Sequence, residues 1–549
     1  MGALAVALGI GTAIANGSAA AWAEDSPGAG GAGSTASSSG TSSSGTGASA
    51  PGSSKPASTG GSARVKRTPG SDSAGSSSST SGKVSAVRGI VTSSGGALTS
   101  GTTTATAEAE PGAPTPAPAP ALWALAASAR REFEPTAASP VTTSSAQAAQ
   151  ATTLAAAAVT TTGTLNTRNV GFVTGPNITN GFGINGTDLG IMWENGLTGK
   201  IQLAFGDTFS GPNMTGDWRS NVLLLSTDTN LTNGLSLLPT GYAYQFIPSA
   251  PGALFPILNS EVTIIPTSAI SVNQQQYVNY MSVKSWDTPG RWTTNYSAIS
   301  MYDAATDKWV LVGSTIRSAG WFRSSTPYVA GSQNFQQAAY VLQPADQVAE
   351  GEPQYVYAFG TPSGRAGSAY LSRVAEGNIT DLSKYEYWDG STWVQGKPAV
   401  AAPILGDSTS SPGLFGGIID LANNPNFFGG WFAGFTGAKT GGNVSEMSVQ
   451  YNDYLGKYVA LYGNGQNNVV LRTADRPEGP WSDPITIATS AQYPGLYAPM
   501  IHPWSGTGKL VDNNNNPDIT NLYWNMSLWG PYNVTLMQTD LTPLHTTVV

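Results

Sequence analysis

Residues 186–209, GTDLGIMWENGLTGKIQLAFGDTF, read as one β-hairpin. Asp188 opens an apolar run to Trp193, the stretch Glu194 to Gly199 has the Asn, Gly and Thr of a turn, and Lys200 to Phe205 forms a second apolar run. Runs this short, bounded by turn residues, suit strands and are too brief for helices. The same pattern continues outward: from about Thr164 the chain shows β-rich segments roughly every 10 to 20 residues, separated by Gly, Asn, Asp and Pro, with no sustained helical period. That spacing predicts an all-β sandwich, barrel or propeller. The roughly 385 residues after Thr164 exceed a sandwich but suit a five-bladed β-propeller, with about 60 to 80 residues per blade.

The expected blades follow the quoted runs. The first holds 186–209 and 220–228; the second 277–286 and 295–313; the third 338–343, 355–362, 368–374 and 385–394. The fourth holds 445–463 and 467–487, and the fifth 496–503, 521–529 and 533–541. Turns ending in an aromatic residue recur at Lys308-Trp309, Thr392-Trp393, Lys457-Tyr458 and Pro480-Trp481, as a repeated hairpin with an aromatic packed between sheets would require. The Gly- and Phe-rich stretch from Ala401 to Gly442 fits no blade and reads as an inserted loop region over one face.

The N-terminal third has different physics. Residues 1–23 form an apolar, small-residue run ending in Ala21-Trp22-Ala23, a signal-peptide-like pattern without a basic leader. Residues 24–163 are rich in Gly, Ser, Ala, Thr and Pro; such a chain has too little apolar area to offset its conformational entropy and is expected to be a disordered spacer. A short helix is expected at 121–134, and the propeller over 164–549. The charges divide at the same place, with 8 basic and 7 acidic residues up to Thr167 against 17 and 26 beyond it. The expected location is therefore outside the cell or in its envelope.

Composition excludes several chemistries. With no Cys there is no thiolate nucleophile or Cys-ligated metal, and the two His, His502 and His545, are too few for a His-rich metal site. No cofactor and no metal are expected. A net charge of -8 argues against nucleic acid, which needs a basic footprint. The N-terminal run is too interrupted by Gly, Ser and Asn for a membrane span, so no span is expected in the mature domain, which is expected to be a monomer.

The chemistry left is that of carboxylates. In the hairpin Asp188 precedes the first strand and Asp207 follows the second, so antiparallel pairing brings them to one rim on strands about 5 Å apart. Gly186, Gly190 and Gly206 leave room for close approach. Two carboxyls on one rim are what glycoside hydrolysis uses, one protonated and one ionised. The plainer alternative is that both are turn residues bonding their own backbone. Substrate-binding candidates are Asn185 in the approach to Asp188, then Trp286, Asn295 and Tyr296 around the turn at 288–292, and Tyr497 and His502 at the start of the last blade. Glu446, opening an inner strand, reads as a third acid, a hydroxyl binder, a partner tuning either Asp, or a polar strand-start residue. The Asn-rich loop DNNNNPD (512–518) lacks the Gly and terminal Glu of a Ca²⁺-binding EF-hand.

Taken together, 183–196, 202–209, SVKSWDTPGRWTTNYSAI (282–299), YLSRV with YEYWDG, and the run 445–484 resemble the domain of unknown function 4185, also classed as glycoside hydrolase family 183, over about Asn169 to Leu541. The resemblance implies a five-bladed propeller and endo-acting hydrolysis of D-arabinan, the α-linked D-arabinofuranose polymer of mycobacterial arabinogalactan and lipoarabinomannan. It places the catalytic pair on Asp188 and Asp207. Inversion is the favoured stereochemistry; carboxyls on adjacent strands also suit the shorter retaining distance. The rivals are a carbohydrate-binding propeller without hydrolysis, a cell-wall scaffold or adhesion protein, and a hydrolase of L-arabinan or a related furanoside.

Overall fold

The computed structural model describes residues 165–249, 261–286 and 290–545. The expectations for 1–23, 24–163 and the helix at 121–134 lie outside the described residues, as does Asp287. What is described is a five-bladed β-propeller. The first strand, β1 (Thr167–Phe172), belongs to the last blade. Blade 1 is β2 (Leu189–Glu194), β3 (Ile201–Phe205) and β6 (Val222–Ser226), with a side hairpin of β4 (Thr208–Gly211) and β5 (Thr215–Arg219). Blade 2 is β7 (Thr263–Val272), β8 (Gln275–Ser285), β9 (Thr293–Asp303) and β10 (Lys308–Ser318). Blade 3 is β11 (Gln337–Leu342), β12 (Tyr355–Thr361), β13 (Ala369–Ala375), β14 (Glu386–Trp388) and β15 (Trp393–Gln395), with β16 (Pro403–Leu405) added to β13. Blade 4 is β17 (Met447–Asn452), β18 (Lys457–Gly463), β19 (Val469–Ala474) and β20 (Ile485–Ala488). Blade 5 is β21 (Leu496–Ile501), β22 (Asn521–Leu528) and β23 (Asn533–Asp540).

The ring is visible in how the inner strands meet. β2 adjoins β7, β7 adjoins β11, β11 adjoins β17, β17 adjoins β21, and β21 returns to β2. Closure is completed at the outer edge of blade 5, where β1 pairs antiparallel with β23. A strand from before blade 1 thus completes the last blade and joins the two ends of the propeller in one sheet.

Three boundaries differ from the sequence reading. Blade 2 begins one strand earlier than expected, at β7, whose residues TIIPTSAISV are almost all buried. Such a strand, covered on both faces, loses the polar alternation that marks a half-exposed one. The closing strand β1 was not assigned to any blade, because TRNVGF has few apolar residues and pairs with a partner about 370 positions away. The stretch 401–442 is only partly an insertion, since it starts with β16 on blade 3 before turning into two short helices, α1 (Gly416–Ala422) and α2 (Ala433–Thr436).

Aromatic packing between blades follows the expected repeat at three of the four turns, while Trp393 packs on Tyr357 and Trp388 of its own blade. Trp309, after the turn of β9 and β10, is buried with its ring 6.2 Å from Trp193, 5.4 Å from Phe246 and 5.6 Å from Tyr302. Tyr458 and Trp481 likewise pack on Tyr357 and Phe359 of the neighbouring blade. Trp309→Ala is therefore expected to cost about 3–5 kcal/mol, the range for deleting a buried aromatic. Urea denaturation should show a lower midpoint at unchanged slope. No helix among the described residues is long and apolar enough to cross a membrane.

Candidate active site

The hairpin that opened the sequence reading forms as expected, with Leu189 opposite Phe205 and the Gly206 amide donating to the Asp188 carbonyl at 3.1 Å. Its turn is held by the Asn195 side chain, which accepts from the Leu197 and Thr198 amides. At the start of β2 the backbone departs from a regular strand. Leu189 and Gly190 both have φ of 71°, and the register slips between Leu189 and Ile191. A Leu in the left-handed region is uncommon and costs free energy, so the surroundings must hold it there. They do: the Leu189 amide donates to Ser527 Oγ at 2.8 Å, and Asn525 Nδ2 donates to the Gly190 carbonyl at 2.9 Å. The bulge turns Asp188 toward the centre of the ring, a common use of such irregularities.

Asp188 is fully buried by its neighbours and lines a narrow cleft at one end of the ring, to which all five blades contribute. Tyr497, from β21, donates its hydroxyl to Asp188 Oδ2 at 3.0 Å. The residue after Tyr497, Ala498, is also left-handed, with φ of 49°, and a second register slip spans Tyr497 to Met500. Both ends of the Tyr497–Asp188 bond thus sit on irregular inner strands. Gly206 packs against the carboxylate; a Cβ there would overlap Asp188 Oδ1, so any larger residue must displace it.

Asp207 lies on the same rim, one residue past Gly206, and does not line this cleft. Its Oδ1 accepts from Thr263 Oγ1 at 2.6 Å and from Trp218 Nε1 at 3.2 Å. The opposite wall carries Glu446, whose two oxygens accept from Arg365 Nε at 3.0 Å and Nη2 at 3.1 Å. The Arg365 guanidinium in turn lies 5.1 Å from the Tyr497 ring and 5.6 Å from the Trp292 ring. A planar cation on aromatic faces is a favourable and orienting contact. One chain of contacts therefore runs Glu446–Arg365–Tyr497–Asp188 across the cleft mouth. Glu446 is thus ion-paired to Arg365 in the cleft wall.

Trp286 also lines the cleft, edge to face with Trp292 at 5.5 Å, and both rings are largely buried. The remaining candidates are elsewhere. Asn185 uses its amide to hold the Ser210 carbonyl of β4. Asn295 and Tyr296 are buried behind the wall, where Asn295 Nδ2 donates to Ser282 Oγ at 3.3 Å. Burial pushes the Tyr296 phenol well above its ordinary range. Ser282 also donates to Glu261 Oε2 at 2.7 Å, and burial raises that carboxyl. His502 is wholly buried; its Nδ1 accepts from the Trp504 amide, and desolvation lowers its pKa to about 3.

His502 gives a pH prediction with a definite sign. Its folded pKa lies below the unfolded value of about 6.5, so the unfolded chain takes up the proton first. Its contribution to stability is complete above pH 6.5 and is lost as pH falls toward 3. His502→Gln should flatten the dependence of the urea midpoint on pH in that window. The pH profile of catalysis should show no His502 ionisation.

Sequence reasoning missed Arg365, Trp218 and Thr263, while Trp292 ends the turn at 288–292 that it singled out. Arg365 and Thr263 carry no local motif and become relevant only through packing. Trp218, 11 positions after Asp207 in a hairpin of its own, was visible as an unassigned Trp.

Among known proteins, the chain is 25% identical over 350 residues to Notoamide biosynthesis cluster protein J of an Aspergillus species, covering 59% of this chain and 77% of that one. Among solved structures it is similar to a putative hydrolase of Bacteroides ovatus, at 13% identity and a TM-score of 0.40, over 66% of this chain and 87% of the other. A native arabinanase of Bacillus subtilis matches at 10% identity and a TM-score of 0.33, over 64% and 96% of the two chains. Likenesses this remote carry no argument about chemistry. The family described as domain of unknown function (DUF4185) matches residues 174–412 and 418–538, well over half of the chain, and this protein belongs to it.

Proposed function

We propose that this protein is a secreted or envelope-associated, endo-acting glycoside hydrolase that cleaves α-D-arabinofuranosyl linkages in D-arabinan, the polysaccharide of arabinogalactan and lipoarabinomannan. The observation that carries the hydrolase reading is Asp188, which lines an aromatic-walled cleft and is held by Tyr497, with Asp207 just after the adjoining strand. The motifs 183–196, 202–209 and 445–484 support the arabinan substrate. In an inverting reaction one carboxyl gives its proton to the leaving oxygen while the other takes a proton from the water that attacks the anomeric carbon. Tyr497 fixes the orientation of one of these groups, and Thr263 with Trp218 fixes the other.

A binding-only propeller is the second reading, favoured by the position of Asp207 outside the cleft lining. Incubating the protein with mycobacterial arabinogalactan separates the two. Release of arabino-oligosaccharides supports hydrolysis, and proton NMR of the first products should show the anomer opposite to that of the substrate. Retention of the polymer by the protein without release would overturn the proposal.

A further inference from the structure

The insertion that fits no blade presents an unusual surface. Leu414 is 91% exposed, Phe428 71% and Trp431 51%, with Ile418 and Leu421 of α1 also exposed; Phe322, 75% exposed, follows Trp321, whose ring packs on Trp431. Scattered exposed apolar residues need no explanation; a cluster this dense marks an interaction surface. Beneath it the rings are braced. Trp321 lies 3.9 Å from Trp431 and 5.9 Å from Phe435, and the Trp321 amide donates to the Gly434 carbonyl at 2.9 Å. The outer side chains are thus supported from below and project outward.

Two properties identify the occupant. From Ser408 to Ala438 the only charged residue is Asp420, and both its oxygens accept from the Ser411 amide. Within these residues there is no cation for anionic headgroups, the adjoining Lys439 donates to the Thr409 carbonyl, and there is little polar patterning for a protein partner, whose interfaces combine aromatic residues with Arg and a hydrogen-bonding rim. The whole chain, at -8, is repelled by anionic surfaces. Exposed Trp, Phe, Leu and Ile on a projecting element are instead the composition that enters the headgroup boundary of a bilayer. The position matters as well. The amides of Gly441 and Gly442 donate to the Ala366 carbonyl, next to Arg365 in the cleft wall, so the insertion stands at the rim that holds the candidate site.

We infer that the insertion is a docking element for a lipid surface without net charge, seating the protein with its cleft rim toward that surface. The inference does not depend on the hydrolase reading, because its test measures partitioning alone. Full-length protein and a Leu414→Ser/Phe428→Ser/Trp431→Ser variant would be floated with phosphatidylcholine vesicles. Trp431 also packs on Trp321, so thermal unfolding of both proteins is followed and flotation is compared at a temperature where both are folded. Wild type is expected to float, at least tenfold more than the variant, and equally in low and high salt. Both proteins carry the same N-terminal region, so a difference belongs to the insertion. Equal flotation of the two, no flotation of wild type, or binding seen only with anionic vesicles and lost in salt would overturn the inference. A wild-type dimer in light scattering that the substitutions convert to monomer, without vesicle binding, would assign the patch to a second copy instead.

Discussion

Asp188→Asn is expected to reduce arabinan cleavage by about 10²–10⁴-fold, the usual loss when an acid–base group is removed, while leaving the fold in place. Asn has the shape of Asp, and its carbonyl can accept the Tyr497 hydroxyl that now binds Oδ2. The packing against Gly206 is also kept. Replacing a buried carboxylate with a neutral amide removes a desolvation cost, so the thermal midpoint should stay or rise. Initial-rate measurements on arabinogalactan, with circular dichroism as the control, check both parts. Asp207→Asn should give a comparable loss if the pair acts together. Asp207→Asn with full activity would leave Asp188 working with another group, and full activity of Asp188→Asn would remove the site altogether. Gly206→Ala is a useful companion, because it displaces the Asp188 carboxylate without changing its chemistry.

The second large effect is on stability. Excising residues 165–173 from the full chain removes β1 and should lower the thermal midpoint sharply or abolish cooperative unfolding. The segment buries Leu165 at 7% exposure and Val173 at 0%. Each is worth about 1.5–3 kcal/mol of burial. It also supplies the β1–β23 ladder, the Thr167–Thr539 hydroxyl pair at 3.0 Å and the bond from Thr535 Oγ1 to Asn169 Oδ1 at 2.9 Å. Against a total stability of about 5–15 kcal/mol, such a loss is a large fraction. The exposed edge of β23 would also be free to pair with other chains. The family match begins at residue 174, immediately after this segment, so a protein cut at the match would lack its closing strand. Differential scanning calorimetry of the excised and intact chains decides the point; equal midpoints would show that β1 is dispensable.

The sequence alone determined the all-β class and the number of blades, because short apolar runs between Gly, Asn, Asp and Pro are local signals and their total length limits the architecture. It also placed the hairpin around Asp188 and Asp207 on one rim, since antiparallel register follows from the turn at Glu194 to Gly199. Four of the proposed site residues, Asp188, Trp286, Glu446 and Tyr497, line a single cleft although up to about 300 positions separate them. Asn295, Tyr296 and His502 read identically as polar or aromatic residues near strand ends and are buried behind the wall. No sequence rule separates the two groups, because which way such a side chain faces depends on bulges at Leu189–Gly190 and at Tyr497–Ala498. The first of these is held by Ser527 and Asn525 of the fifth blade. The Arg365 bridge between Glu446 and the Tyr497 ring, and the closing strand β1, have the same origin: each joins segments far apart in the chain. Composition and period act over a few residues and are written in the sequence; the contacts that orient the carboxylate and close the ring arise only when the blades pack.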